Sequence, residues 1–327
     1  MARFDMPLAE LERYAPEVAE PADFDDFWAS SIAESRSAAR EPEWASADTP
    51  LRGIQVRDVV FSGYAGDPIR AWLLLPKETD GPLPAVVEFV GYGGGRGLPH
   101  ERLAWVTAGY AHFIMDTRGQ GSAWGGGGAT EDPHGAGPAF PGYMTRGIMD
   151  PATYYYRRVF IDAVRAVDVV RELPEVDAGR IAVAGGSQGG GITLAAAALS
   201  EGVVAALPEV PFLCDFERAV GLTDAAPYSE IANYLRVHRD AVSTVFRTLA
   251  YFDGVNMAKR ATAPALFSVG LMDPITPPST VYAAYNRYAG EKEIVVYPFN
   301  EHEGGAPHHW PRQAEFLAAH LAGGAAR

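Results

Sequence analysis

The residues with the clearest chemical promise lie at 181–191, IAVAGGSQGGG, where Gly185-Gly186-Ser187-Gln188-Gly189 fits the pattern G-x-S-x-G. An apolar run ends at Ala184 and a small-residue, helix-compatible stretch follows. That context predicts a sharp strand–turn–helix bend that lifts the Ser187 hydroxyl above a sheet as a nucleophile. Glycines suit the bend because a Cβ two residues before or after the serine would clash across it. The competing reading, a phosphate-binding glycine loop, lacks G-x-G-x-x-G or a GK[ST] ending in the usual register. A serine hydroxyl is a weak nucleophile until an imidazole takes its proton and an acid orients that imidazole.

The chain has eight histidines. Where this elbow occurs, chain order runs Ser, acid, His, so His100, His112 and His134 precede the serine and drop out. His302, in YPFNEHEGGAPHH after the last apolar run, is the favoured base, with Gly304 and Gly305 leaving room beside it. His308 and His309 compete, as helix-capping or solvent-facing residues at the start of the last helix. No carboxylate spacing supports a metal site built from the three. The acid expected is Asp273 in FSVGLMDPITPP, just past an apolar run, in a loop stiffened by Pro274, Pro277 and Pro278. Asp253 is its rival, away from any expected strand end.

Acyl chemistry at a serine also needs two donors for the oxyanion. One is the backbone N–H after the nucleophile, that of Gln188, and the other comes from the loop after the third strand. That loop is Gly91-Tyr92-Gly93-Gly94-Gly95-Arg96-Gly97, which makes the Tyr92 amide the expected second donor. Its alternative reading is a flexible surface loop. A further glycine-rich stretch, Asp116-Thr117-Arg118-Gly119-Gln120-Gly121, follows the fourth strand. There Arg118 is expected to pair with a carboxylate near the site, Glu303 being the candidate, and to brace the loops.

These side chains need a scaffold that brings strand ends together. Apolar runs at 54–61, 69–75, 85–90, 112–116, 181–184, 203–207, 265–269 and 294–298 read as strands, the first two as a hairpin across GYAGD. Helical patterns at 102–108, 154–172, 190–199, 279–288 and 313–321 fall between the later strands. Alternating β and α predicts an α/β fold: about eight mostly parallel strands with helices on both faces, in one domain over 1–327. Residues 1–50 read as an acidic N-terminal arm, with Asp23 capping a helix whose inner face is Phe24, Phe27, Trp28 and Ile32. Residues 209–260 carry no clear strand and read as a helical insertion over the sheet.

Composition narrows the function classes. The 327 residues carry 27 Lys and Arg against 41 Asp and Glu, a net charge of −14, with no basic run. Such a surface repels nucleic acid. No apolar stretch approaches a membrane span. MARFDMPLAELERYAPE shows no basic-then-apolar leader pattern, and a single Cys214 forbids an intrachain disulfide, so a cytoplasmic protein is expected. Eighteen of the 35 glycines fall in four stretches, 91–97, 119–128, 185–191 and 304–305, all at expected strand ends on one rim of the sheet.

Taken as a set, the motifs resemble carbohydrate esterase family 7, the acetyl xylan esterases and cephalosporin C deacetylases. That family combines an RGQ motif, a G-x-S-Q-G elbow and a His-Glu pair, here Arg118-Gly119-Gln120, Gly185 to Gly189 and His302-Glu303. Further similar stretches are EFVGYGGGRG at 88–97, PGYMTRGIMDPATYYYRRVF at 141–160, VPFLCDFERAV at 210–220 and ALFSVGLMDPITPPSTV at 265–281. The resemblance implies an α/β-hydrolase fold, a triad of Ser187, Asp273 and His302, and an oxyanion hole from the Tyr92 and Gln188 amides. It implies deacetylation of small acetylated saccharides such as xylo-oligosaccharides, and of cephalosporin C, without a metal or organic cofactor. It also implies a homohexameric ring. Pro274 after the acid and the segment APHHWPRQ after Gly305 depart from the family pattern and bear on loop shape and specificity. Two relatives by fold are disfavoured. A prolyl-oligopeptidase-type peptidase needs a propeller that about 50 residues cannot hold, and a dienelactone hydrolase carries Cys at the elbow.

Overall fold

The structure, a computed structural model, describes residues 4–135 and 137–321. Nine strands form one sheet: β1 Glu43–Ser46, β2 Ile54–Ser62, β3 Pro68–Pro76, β4 Leu83–Phe89, β5 Ala111–Met115, β6 Val176–Gly186, β7 Val203–Glu209, β8 Ala265–Gly270 and β9 Lys292–Tyr297. Their order is β1-β2-β3-β5-β4-β6-β7-β8-β9. The first three run antiparallel and β5 to β9 run parallel with β4. The eight expected strands are present. The ninth, β1, is a four-residue, wholly exposed edge strand with no apolar alternation to betray it. The strand at the opposite edge, β9, is only half-buried rather than covered on both faces.

Burial explains the central pattern. Every residue of β5 and β8 is buried, as expected of strands covered by helices on both faces. One face packs against helices Tyr155–Arg171 and Gln188–Leu199, the other against the last helix, Trp310–Leu321. Between β7 and β8 the chain forms helices Phe216–Leu222, Tyr228–Val237, Val242–Ala250 and Gly254–Ala258, the expected insertion. The N-terminal helix, Phe24–Ser37, buries Phe24, Trp28 and Ile32, and the Trp28 indole donates to the Tyr251 carbonyl at 3.1 Å. Asp23 does not cap it. Its carboxylate instead takes the Tyr251 hydroxyl at 2.6 Å, which ties the arm to the insertion.

The parallel register sets the loops that matter side by side. Phe89 pairs with Gly185, Gly186 with Glu209, Glu209 with Ser268, and Gly270 with Tyr297. The segments carrying Tyr92, Ser187, Asp273 and His302 therefore leave the sheet at neighbouring carboxyl ends, where open α/β sheets place their ligands.

Candidate active site

Ser187 sits between the end of β6 and the first turn of helix Gln188–Leu199, at φ 58° and ψ −119°. A non-glycine residue in that region is strained and needs its surroundings to hold it. They do so through the backbone. The Ser187 N–H donates to the Glu209 carbonyl at 2.9 Å, and its carbonyl accepts from Phe212 at 2.9 Å and Gly191 at 3.1 Å. A Cβ on Gly185 would lie 2.6 Å from the Gly189 backbone, and one on Gly189 would lie 2.2 Å from the Phe89 carbonyl oxygen. The second contact also explains how closely the elbow approaches β4, whose following loop bears Tyr92.

His302 follows β9 and reaches back over the elbow. Its Nε2 lies 2.9 Å from Ser187 Oγ, and its Nδ1 lies 2.8 Å from Asp273 Oδ2. The fully buried Asp273 carboxylate also accepts from the Ile275 and Thr276 amides at 2.8 and 3.0 Å and from the Thr276 hydroxyl at 2.6 Å. These donors fix the carboxylate so that one oxygen faces the imidazole. Thr276 was missed in the sequence, although an Asp with a hydroxyl three residues on is a readable turn pattern.

The rivals have other places. Asp253 begins helix Gly254–Ala258 and accepts from the Asp215, Phe216 and Val255 amides. Burial pushes its pKa up to about 7. His309 is buried rather than capping or facing solvent. Its Nδ1 lies 3.0 Å from the Tyr297 hydroxyl, and burial pulls its pKa down to about 4. Among the described residues, no group of three or more His, Cys, Asp or Glu is placed to hold a metal ion.

Tyr92 lines the same cavity as Ser187, and Gln188 follows Ser187 directly. The Gln188 amide belongs to the first helical turn, which has no intrahelical acceptor. The helix N-terminus adds positive potential there. The loop of Tyr92 is fixed from several sides. Its carbonyl takes the Trp124 indole N–H at 2.8 Å, and the next amide, Gly93, donates to Gln120 Oε1 at 2.7 Å. Gln120 Nε2 in turn donates to Gln188 Oε1 at 2.8 Å, and Gln188 Nε2 to the Val90 carbonyl at 3.1 Å. The two glutamines thus lock the loop after β4 to the elbow. The Tyr92 hydroxyl donates to Glu230 at 2.6 Å and accepts the Tyr143 amide at 2.6 Å. Glu230, on the insertion helix Tyr228–Val237, carries no local sequence signal. Burial raises its pKa.

Arg118 braces the region, but not through Glu303. Wholly buried, it forms two bonds to Asp162, at 2.6 and 2.8 Å, and further pairs with Asp67 at 2.8 Å and Asp132 at 3.4 Å. Glu303 is turned to the surface, where it accepts from the Asn300 side chain at 2.7 Å and the Glu301 amide at 3.1 Å. A buried guanidinium needs buried carboxylates around it, and Glu303 is exposed. Gly119 follows at φ 69°, its N–H held by the Thr130 carbonyl at 2.8 Å.

Ser187 and His302 open into a cavity of about 550 Å³, walled by Tyr92, Trp124, Val210, Pro227 and Ile275 among others. A serine hydrogen-bonded to a histidine, which is bonded in turn to a buried carboxylate, at the mouth of one cavity is an arrangement capable of acyl transfer. Residues 1–320 match the acetyl xylan esterase family. The chain belongs to that family. Two solved members resemble it over nearly their whole length. The acetyl xylan esterase from Paenibacillus sp. R4 is 44% identical, with a TM-score of 0.92, covering 97% of this chain and 100% of that one. Acetyl xylan esterase 1 from Thermoanaerobacterium sp. JW/SL YS485 is 36% identical, with a TM-score of 0.89, covering 96% and 99%. A match to acetyl esterase Axe7A of Xylanibacter ruminicola, 36% identical over 163 residues, spans 49% of this chain and only 36% of that protein. Solved hydrolases at 17% and 19% identity share the α/β-hydrolase fold and no more.

Proposed function

We propose that the protein is a serine esterase that removes acetyl groups from small acetylated saccharides such as xylo-oligosaccharides. The observation that carries this reading is the unbroken line of hydrogen bonds from Ser187 through His302 to Asp273, at the mouth of the cavity, in a member of this family. His302 Nε2 takes the hydroxyl proton as Ser187 Oγ attacks the acetyl carbonyl carbon. The Tyr92 and Gln188 amides hold the oxyanion, and the imidazolium returns the proton to the departing sugar oxygen. Water then attacks the acetyl-enzyme by the same route and releases acetate. Asp273 keeps Nδ1 protonated and the ring in register.

By resemblance, cephalosporin C is a second substrate, through its acetoxymethyl group. By resemblance the chain assembles as a ring of six. The reading is tested with acetylated xylo-oligosaccharides, cephalosporin C, an acyl-length series of p-nitrophenyl esters and proline-containing peptides. Turnover of the acetyl esters is expected, falling with acyl length. Cleavage of the peptides with no turnover of acetyl esters would replace the esterase with a peptidase. Asp273→Asn presents the wrong hydrogen-bonding partner to Nδ1 and is expected to lower kcat by about 10⁴. A loss of only a few-fold would remove Asp273 from the orienting role.

A further inference from the structure

Beside the catalytic cavity lies a smaller chamber of about 210 Å³, bordered by the exposed Ala104. The two cavities share Glu88, Arg102, Gly186 and Glu209 in their walls, so the chamber begins one residue from the nucleophile. Its polar groups are built in rather than scattered on a surface. Glu88, on β4, pairs with Arg102 and lies 2.7 Å from His112 Nε2. Burial opposes the Glu88 charge, but Arg102 and His112 overcome it and bring the pKa down to about 2. Arg102 thus spends one nitrogen on a fixed carboxylate, and its guanidinium remains partly exposed. Glu209 ends β7. One carboxyl oxygen accepts from Gln313 at 2.7 Å, and among the described residues the other accepts from none. Trp105 and Trp310 add aromatic surface, their rings 5.5 Å apart.

The donor and acceptor balance selects the ligand. Arg102 offers N–H donors and Glu209 an acceptor. A hydroxyl is both donor and acceptor, so adjacent hydroxyls satisfy the two together. A carboxylate ligand would meet Arg102 already neutralised by Glu88, with Glu209 beside it, and is disfavoured. Apolar ring faces over tryptophan with a few fixed polar groups are the ordinary composition of a small-molecule site.

We propose that this chamber is a sugar subsite, which seats the ring next to the acetylated one in a small acetylated xylo-oligosaccharide and binds its hydroxyls through Arg102 and Glu209. The inference rests on the esterase reading above and adds to it where the leaving saccharide sits. Ala104 lines the chamber and not the catalytic cavity, so Ala104→Trp narrows the chamber from its edge. It is expected to raise KM for acetylated xylobiose about tenfold and to leave p-nitrophenyl acetate kinetics within about twofold. Glu209→Gln keeps the backbone carbonyl that holds Ser187 and replaces one carboxyl oxygen with an amide group. It is expected to raise KM for the disaccharide by about tenfold. Equal losses on both esters for Ala104→Trp, or no change on either for both variants, overturn the subsite alone. A wild-type protein that cleaves p-nitrophenyl acetate and leaves acetylated xylobiose untouched overturns the subsite and the saccharide reading together.

Discussion

Replacing Ser187 with alanine is expected to lower kcat/KM for p-nitrophenyl acetate by about 10⁶, the scale on which removing an activated serine acts elsewhere. The fold should survive the change. Every contact that holds residue 187 at its positive φ is made by its backbone: the amide to Glu209, the carbonyl to Phe212 and Gly191. Alanine keeps all three, so the melting temperature should stay within a few degrees. Labelling by a fluorophosphonate should disappear together with turnover. His302 and Asp273 would remain 2.8 Å apart with no nucleophile to serve. A variant of unchanged turnover would move the chemistry off the elbow altogether, and a variant that simply unfolds would show it in the melting curve. Normal labelling of the variant would place the reactive group on another side chain.

The residues of this site differ in how far local spacing reveals them. Ser187, the glycines around it and the loop of Tyr92 were legible because backbone geometry is written locally. A bend that tolerates no Cβ demands glycine at 185 and 189, and the contacts of 2.6 and 2.2 Å show why. Asp273 and His302 were legible because the elbow predicts chain order and because strand ends can be counted. What sequence could not supply was partnership across the fold. The motif set offers Glu303 as the partner of Arg118, whereas the partner, Asp162, lies on helix Tyr155–Arg171. Asp23 looks like a cap and bonds instead to Tyr251, 228 residues away. Glu230 stands on an ordinary amphipathic helix, and only the folded insertion brings it to the Tyr92 hydroxyl. Gln120 and Gln188 both belong to motifs, but their mutual bond appears only once β4, β5 and β6 are neighbours.

Arg118→Met is expected to destabilise the protein by about 3–5 kcal/mol, because it leaves a buried charge without its partner. The three carboxylates around Arg118 would not suffer equally. Asp132 keeps two bonds from Arg158, at 2.9 and 2.8 Å, and Asp67 keeps His134 at 2.7 Å. Asp162 would keep only the Tyr64 amide at 2.8 Å. Burial already outweighs Arg118 at Asp162 and holds its pKa above 3.8. Without the guanidinium the folded-state pKa rises further, while the unfolded value stays at about 4. Between those two values the folded protein binds more protons than the unfolded one. The variant should therefore be least destabilised at acid pH and lose stability as pH rises through that window. Urea unfolding of both proteins across a pH series would measure it, with m-values as the check on two-state behaviour. Arg118→Met combined with Asp162→Leu removes both charges and should recover much of the loss, since an apolar pair of similar shape can replace a buried ion pair at little cost. A single variant as stable as wild type at neutral pH would show that Arg118 is not the brace. A double variant no better than the single would place its stabilising effect on Asp67 and Asp132 instead. Because Arg118 stands two residues from Gln120, which holds the Gly93 amide and Gln188, activity is expected to fall with stability. Activity lost at an unchanged unfolding midpoint would mean that Arg118 acts on the loop of Tyr92 alone.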